Sequence, residues 1–116
     1  MVILYARDPQ RSLGFYRDVL GMAVKESSPE WVELEGGGVS IALHVSPKPV
    51  ERTDTSPWLV FAVDDVRAAY DALEARGVKF LKPLTQVCGD EKSRGLAGDF
   101  HDPDGNALSI FGTVSK

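Results

Sequence analysis

Val2-Ile3-Leu4-Tyr5-Ala6-Arg7-Asp8, near the start of the chain, and Leu59-Val60-Phe61-Ala62-Val63-Asp64-Asp65, near its middle, can be laid on one another residue for residue. Each is an apolar run that ends in an acid. Each is followed by apolar residues at helical spacing: Leu13, Tyr16 and Leu20 after the first, and Val66, Ala69, Tyr70 and Leu73 after the second. The pattern reads as a strand leading into a helix, twice. Asp8 before Pro9, and the Asp64-Asp65 pair, supply the acceptors that the free amides of a helix start require, and Pro9 suits the first helical position. Gly21 and Gly77 stand where a left-handed C-terminal cap belongs. A second overlay closes each half: Gly38-Val39-Ser40-Ile41-Ala42-Leu43-His44 lies on Gly105-Asn106-Ala107-Leu108-Ser109-Ile110-Phe111. Identity between the halves is slight, so the repeat rests on pattern.

The remaining strands follow from alternation and turn chemistry. In the first half they are Met1 to Ala6, Met22 to Lys25, Trp31 to Glu35 and Val39 to Val45. A Gly36-Gly37 turn between the last two would pair Glu33 with Ser40 and Trp31 with Ala42. Ser46 to Pro57, with Pro47, Pro49 and Pro57, reads as a linker. The second half reads as a strand from Trp58 to Val63, the second helix, a strand from Val78 to Leu81 and a long polar loop from Lys82 to Ser93. A strand from Arg94 to His101, a turn at Asp102-Pro103-Asp104-Gly105-Asn106 and a last strand from Ala107 to Phe111 complete it. The expected fold is α+β. One domain over residues 1–116 would hold two tandem βαβββ units, about 1–46 and about 58–116, joined by the linker of about 46–57. They would form a curved mixed sheet around a cavity, with the helices on its outer face.

Bulk composition narrows the partners. The 116 residues are 43% hydrophobic and 26% charged, as in an ordinary globular domain. A net charge of −4 disfavours nucleic acid and anionic membrane surfaces, which require a basic patch. Cys88 is the one cysteine, so no intrachain disulfide can form, which suits a reducing compartment. No run approaches the roughly 20 apolar residues of a membrane span. The start of the chain lacks the basic region and apolar core of a signal peptide. A cytoplasmic location is expected.

Three strings carry a family resemblance. Tyr5-Ala6-Arg7-Asp8 with Ser12-Leu13-Gly14-Phe15-Tyr16-Arg17-Asp18-Val19-Leu20-Gly21 resembles the first strand and helix of the vicinal-oxygen-chelate superfamily, the glyoxalase/bleomycin-resistance/extradiol-dioxygenase group. Val63-Asp64-Asp65-Val66 with Ala75-Arg76-Gly77-Val78 resembles its second, and Phe100-His101-Asp102-Pro103-Asp104-Gly105-Asn106 its final hairpin. Two βαβββ units are the hallmark of that superfamily. These strings are turn and cap chemistry, so they speak to the fold and not to an activity.

The resemblance also implies where metal-dependent relatives place their ligands. These positions lie seven residues before each helix-opening acid, which gives Met1 and Trp58, and four after the turn glycine, which gives Ser109, with Ala42 as its repeat equivalent. Relatives that bind a divalent ion hold His, Glu or Gln there. Ala42 and Trp58 supply no ligand, Ser109 is a poor one and Met1 suits only soft ions. The usual metal site is therefore expected to be vacant, and no cofactor is expected.

Strand parity then defines what the cavity would offer. Tyr5, Trp31, Trp58 and Phe111 would line it, with Glu33, His44 and Ser109 as polar points. Apolar walls with a few directed polar groups make up a small-molecule site. Acidic neighbours Asp90 and Glu91 argue against a nucleophilic Cys88. Three readings remain open. One is a metal-free binder of a planar, apolar or cationic molecule, with a sequestering role against an antibiotic. A second is a lyase, isomerase or dioxygenase-type enzyme using His44 and Glu33 as an acid–base pair. The third is a structural role with the cavity plugged by its own tryptophans. Open sheet edges in two small units, together with the resemblance, point to a homodimer.

Overall fold

The computed structural model describes residues 1–49 and 56–116. Much of the expected linker, residues 50–55, lies outside the described residues. The described chain divides into two compact units. The first holds residues 1–49 and the turn at 102–106. The second holds residues 56–101 and 107–116.

In the first unit, β1 (Val2–Ala6) runs into α1 (Pro9–Gly14), and β2 (Val24–Ser27), β3 (Trp31–Glu35) and β4 (Ser40–Val45) follow. In the second, β5 (Leu59–Ala62) runs into α2 (Val66–Ala75), and β6 (Thr85–Gly89), β7 (Ser93–His101) and β8 (Ala107–Ser115) follow. The sheets have the same order, β1-β4-β3-β2 and β5-β8-β7-β6. The first strand of each pairs in parallel with the last, and the other pairings are antiparallel. The βαβββ repeat read from the sequence is thus present. Each half builds its own four-stranded mixed sheet.

The helix starts follow the acids. Asp8 Oδ1 accepts from the amides of Gln10 at 3.1 Å and Arg11 at 3.3 Å, and Asp65 Oδ1 accepts from Ala68 N at 3.0 Å. The α-helical part of the first helix is shorter than its periodicity predicts. Phe15–Val19 widens into a π-helical turn, in which Leu20 N donates to Phe15 O and Tyr16 is wholly buried. Gly21 then takes a φ of 76° and ends it.

Each helix covers one face of its own sheet. Val32, Leu34, Ile41 and Leu43 are buried in the first unit with Leu13 and Tyr16. Leu96, Phe100, Leu108 and Ile110 are buried in the second with Val66 and Leu73. Each such side chain stabilises the fold by roughly 1.5–3 kcal/mol. No described helix is long and apolar enough to cross a membrane.

Three sequence expectations are corrected. The hairpin between β3 and β4 turns one residue later than expected. Gly37 and Gly38 both have positive φ, at 77° and 100°, and Gly36 N donates to Val39 O at 2.8 Å. A two-residue turn with positive φ at both central positions suits the twist of the strands. The shift pairs Glu33 with Ala42 and Trp31 with His44, rather than with Ser40 and Ala42. Moving a turn by one residue moves the pairing by two, so every side chain keeps its face.

Second, β2 is Val24–Ser27, two residues later than Met22 to Lys25. Third, Val78 to Leu81 is not a strand. Its link to the sheet is Leu81 N to Asp99 O at 2.9 Å, and the Phe80 ring holds it down by stacking on Tyr70, with centroids 4.1 Å apart. The edge strand is instead β6, inside the expected polar loop, and it carries Cys88. A strand exposed at a sheet edge has no need of apolar alternation, which is why its sequence reads as loop.

Candidate functional site

Register decides what each sheet presents on the face away from its helix. In the first unit Tyr5 lies opposite His44, and His44 opposite Trp31. The three rings form a row, edge to face, with centroids 5.7 Å and 5.8 Å apart. The next row is Ile3, Ala42 and Glu33. His44 Nδ1 lies 2.8 Å from its neighbour's carbonyl, Val45 O, which calls for a proton on that nitrogen. Glu33 lies 3.4 Å from Lys25 Nζ, and Lys25 also donates to Ser40 Oγ at 2.9 Å. Glu33 and His44 thus share a face, but each has its own partner, and no hydrogen bond joins them among the described residues.

In the second unit Val60 lies opposite Ser109, and Ser109 opposite Asp99. Ala62 lies opposite Phe111, and Phe111 opposite Ala97. These two rows floor a recess of about 330 Å³, within the size range of small-molecule sites. Trp58, Val60, Val87 and Phe111 form its apolar walls, and Ala97 deepens it. Gly95 makes room for the aromatic wall: a Cβ there would lie 2.9 Å from the Phe111 ring and closer still to Cys88 Sγ. Trp58 stacks beside His101, with centroids 6.4 Å apart and planes 30° apart. The Ser109 hydroxyl is buried and donates to Ile110 O at 3.2 Å. Asp99 is the one ionisable side chain in the lining. Among the described residues no hydrogen bond or ion pair reaches its carboxylate.

The expected site residues therefore fall into two groups. Tyr5, Trp31, Glu33 and His44 come together on the first unit's sheet. Trp58, Ser109 and Phe111 come together around the recess of the second. Asp99 and Val87 were missed. The signal for Asp99 was available: with the turn at 102–106, counting back along the hairpin sets Asp99 opposite Ser109. Val87 was hidden in the segment read as loop.

The residues at the four positions that the resemblance implies do not make up the usual metal-ligand set. Ala42 is buried, Trp58 and Met1 are exposed, and the set offers one hydroxyl and one thioether as donors. A divalent ion of the hard or borderline kind takes three or four imidazole or carboxylate ligands. Among the described residues no three His, Cys, Asp or Glu side chains gather as such a set.

Two βαβββ units of the same strand order, each with a helix on one face and an open surface on the other, define a paired-module domain of the vicinal-oxygen-chelate class. The model of the Glyoxalase/Bleomycin resistance protein/Dioxygenase superfamily matches residues 1–110, and the chain belongs to that superfamily. Among solved structures, a glyoxalase/bleomycin resistance protein/dioxygenase from Alicyclobacillus acidocaldarius is similar at a TM-score of 0.79 and 20% identity, covering 96% of this chain and 87% of that one. A lactoylglutathione lyase from Agrobacterium tumefaciens is similar at 0.77 and 20%, covering 96% and 90%. A protein of unknown function from the same organism is similar at 0.76 and 28%, covering 97% and 90%. No curated protein matches the chain.

Proposed function

We propose that this chain is a metal-independent small-molecule binder of its superfamily, holding a planar, apolar or cationic molecule in the recess of the second unit, with sequestration of an antibiotic as the biological role. The observation that carries this reading is the recess itself, in which an indole and a phenyl ring flank a carboxylate that has no partner among the described residues. Aromatic faces attract flat rings and cations, worth about 0.5–2 kcal/mol per contact beyond burial. The acid–base alternative lacks a comparable observation, because His44 and Glu33 are each engaged elsewhere.

Trp58→Ala should weaken any planar ligand tenfold or more, about 1.4 kcal/mol. Trp31→Ala should leave its affinity within twofold, because Trp31 does not line the recess. Isothermal titration with planar antibiotics measures both. A loss that follows Trp31 instead of Trp58 would move the site to the first unit.

Protein purified without chelator should carry well under one Ni, Zn, Fe or Mn per chain, and chelation should leave ligand affinity unchanged. Near-stoichiometric metal, lost together with binding on chelation, would sink the metal-independent reading.

A further inference from the structure

The two units each carry a carboxylate at the same place. Glu33 lies opposite Ala42 on the first sheet, and Asp99 lies opposite Ser109 on the second; Ala42 and Ser109 are themselves repeat equivalents, and both are buried. Each sheet also has a bulge in its edge strand, at different registers: beside Glu33 and Leu34 in the first unit, beside Gly95 and Leu96 in the second. The extra residue is Lys25, between Val24 and Glu26, in the first unit, and Val87, between Gln86 and Cys88, in the second. Here the units diverge. Lys25 turns its ammonium to Glu33 at 3.4 Å, so the first unit neutralises its own carboxylate. Val87 has no charge to offer. It joins the apolar wall of the recess, and among the described residues no cation pairs with Asp99.

We propose that Asp99 is the specificity-determining residue of the recess, selecting organic cations, and that a protonated amine or iminium on a planar ring takes the place that Lys25 holds in the first unit. This deepens the small-molecule reading and rests on it. A half-buried carboxylate flanked by rings, with no partner among the described residues, gains from a cation that brings its own apolar body. The ring lies against Trp58 and Phe111 while its charge meets Asp99. A neutral ring of the same size gains only the wall contacts. An anion is repelled. Glu33, for all its equivalent position, should have no part in this selection.

Proflavine, a planar cation, and acridone, its neutral counterpart in shape, are the probes. Both are titrated calorimetrically into the wild-type chain, Asp99→Asn and Glu33→Gln at low and moderate salt. Wild type should bind proflavine at least tenfold tighter than acridone, and added salt should erode that preference. Asp99→Asn should lose tenfold or more for proflavine and stay within twofold for acridone. Glu33→Gln should change neither by more than twofold.

Equal affinity of wild type for the two probes overturns the proposal while leaving the small-molecule reading in place. So does a proflavine affinity that Asp99→Asn does not alter, or a loss that follows Glu33. Failure of wild type to bind either probe counts against both. The salt dependence of the wild-type preference decides the matter even if Asp99→Asn folds poorly, because a preference that salt does not erode is not electrostatic.

Discussion

Asp102→Ala should destabilise the protein by about 3–4 kcal/mol, as one buried hydroxyl and several turn amides lose their acceptor together. Asp102 sits in the turn between β7 and β8 and belongs by its contacts to the first unit. Its Oδ2 accepts from the Tyr16 hydroxyl at 2.7 Å and from Asn106 Nδ2 at 2.9 Å, and its Oδ1 accepts from Asp104 N at 2.9 Å and Asn106 N at 2.8 Å. Asn106 Nδ2 donates in turn to Tyr5 O at 3.0 Å. Asp104 extends the anchor by accepting from Arg7 N, Arg11 and the Ser12 hydroxyl. Burial pushes the Tyr16 phenol well above its ordinary 10.0, and the charge of Asp102, its hydrogen bond and the charge of Asp104 add to the push.

The sign of the pH effect follows. The folded state holds this proton more tightly than the unfolded chain, so the stabilisation is complete below about pH 10 and is lost as pH rises past it towards the folded value. Tyr16→Phe should cost about 1–3 kcal/mol at neutral pH and flatten the fall in stability above pH 10. Urea denaturation across pH measures both variants. An Asp102→Ala cost below about 1 kcal/mol, or an alkaline slope unchanged in Tyr16→Phe, would show that the anchor does not hold.

Phe100→Ala should cost about 3–5 kcal/mol, the range for emptying a buried aromatic site. Phe100 is wholly buried in β7 and meets Phe80 edge to face at 5.4 Å. Phe80 is stacked on Tyr70 of α2. The rings thereby hold in place the segment 78–81, which has little backbone pairing of its own. Phe100→Leu keeps most of the volume and should cost well under half as much. Comparable losses for the two substitutions in denaturant melts would mean that the cavity is not the cause.

The strand–helix opening of each half was legible because local chemistry enforces it. Asp8 and Asp65 cap the helices that follow them, Gly21 ends the first, and the alternation of 31–35 and 40–45 survives in the burial of Val32, Leu34, Ile41 and Leu43. Face assignment also survived an error in the turn, since a slip of two preserves parity.

The rest depended on groups far apart in sequence. Whether Thr85–Gly89 is a strand depends on what pairs with it, because an edge strand is not obliged to alternate. Asp102 reads as a turn residue, and only the buried Tyr16 makes it an anchor. The gathering of Val87 and Asp99 with Trp58, Ser109 and Phe111 around one recess is likewise tertiary. So is the contrast between two equivalent acids: Glu33 and Asp99 are alike as residues, but Lys25 reaches Glu33, and among the described residues no cation pairs with Asp99. A carboxylate's role is set by the cation within reach of it, and reach is a distance in space that residue order does not specify.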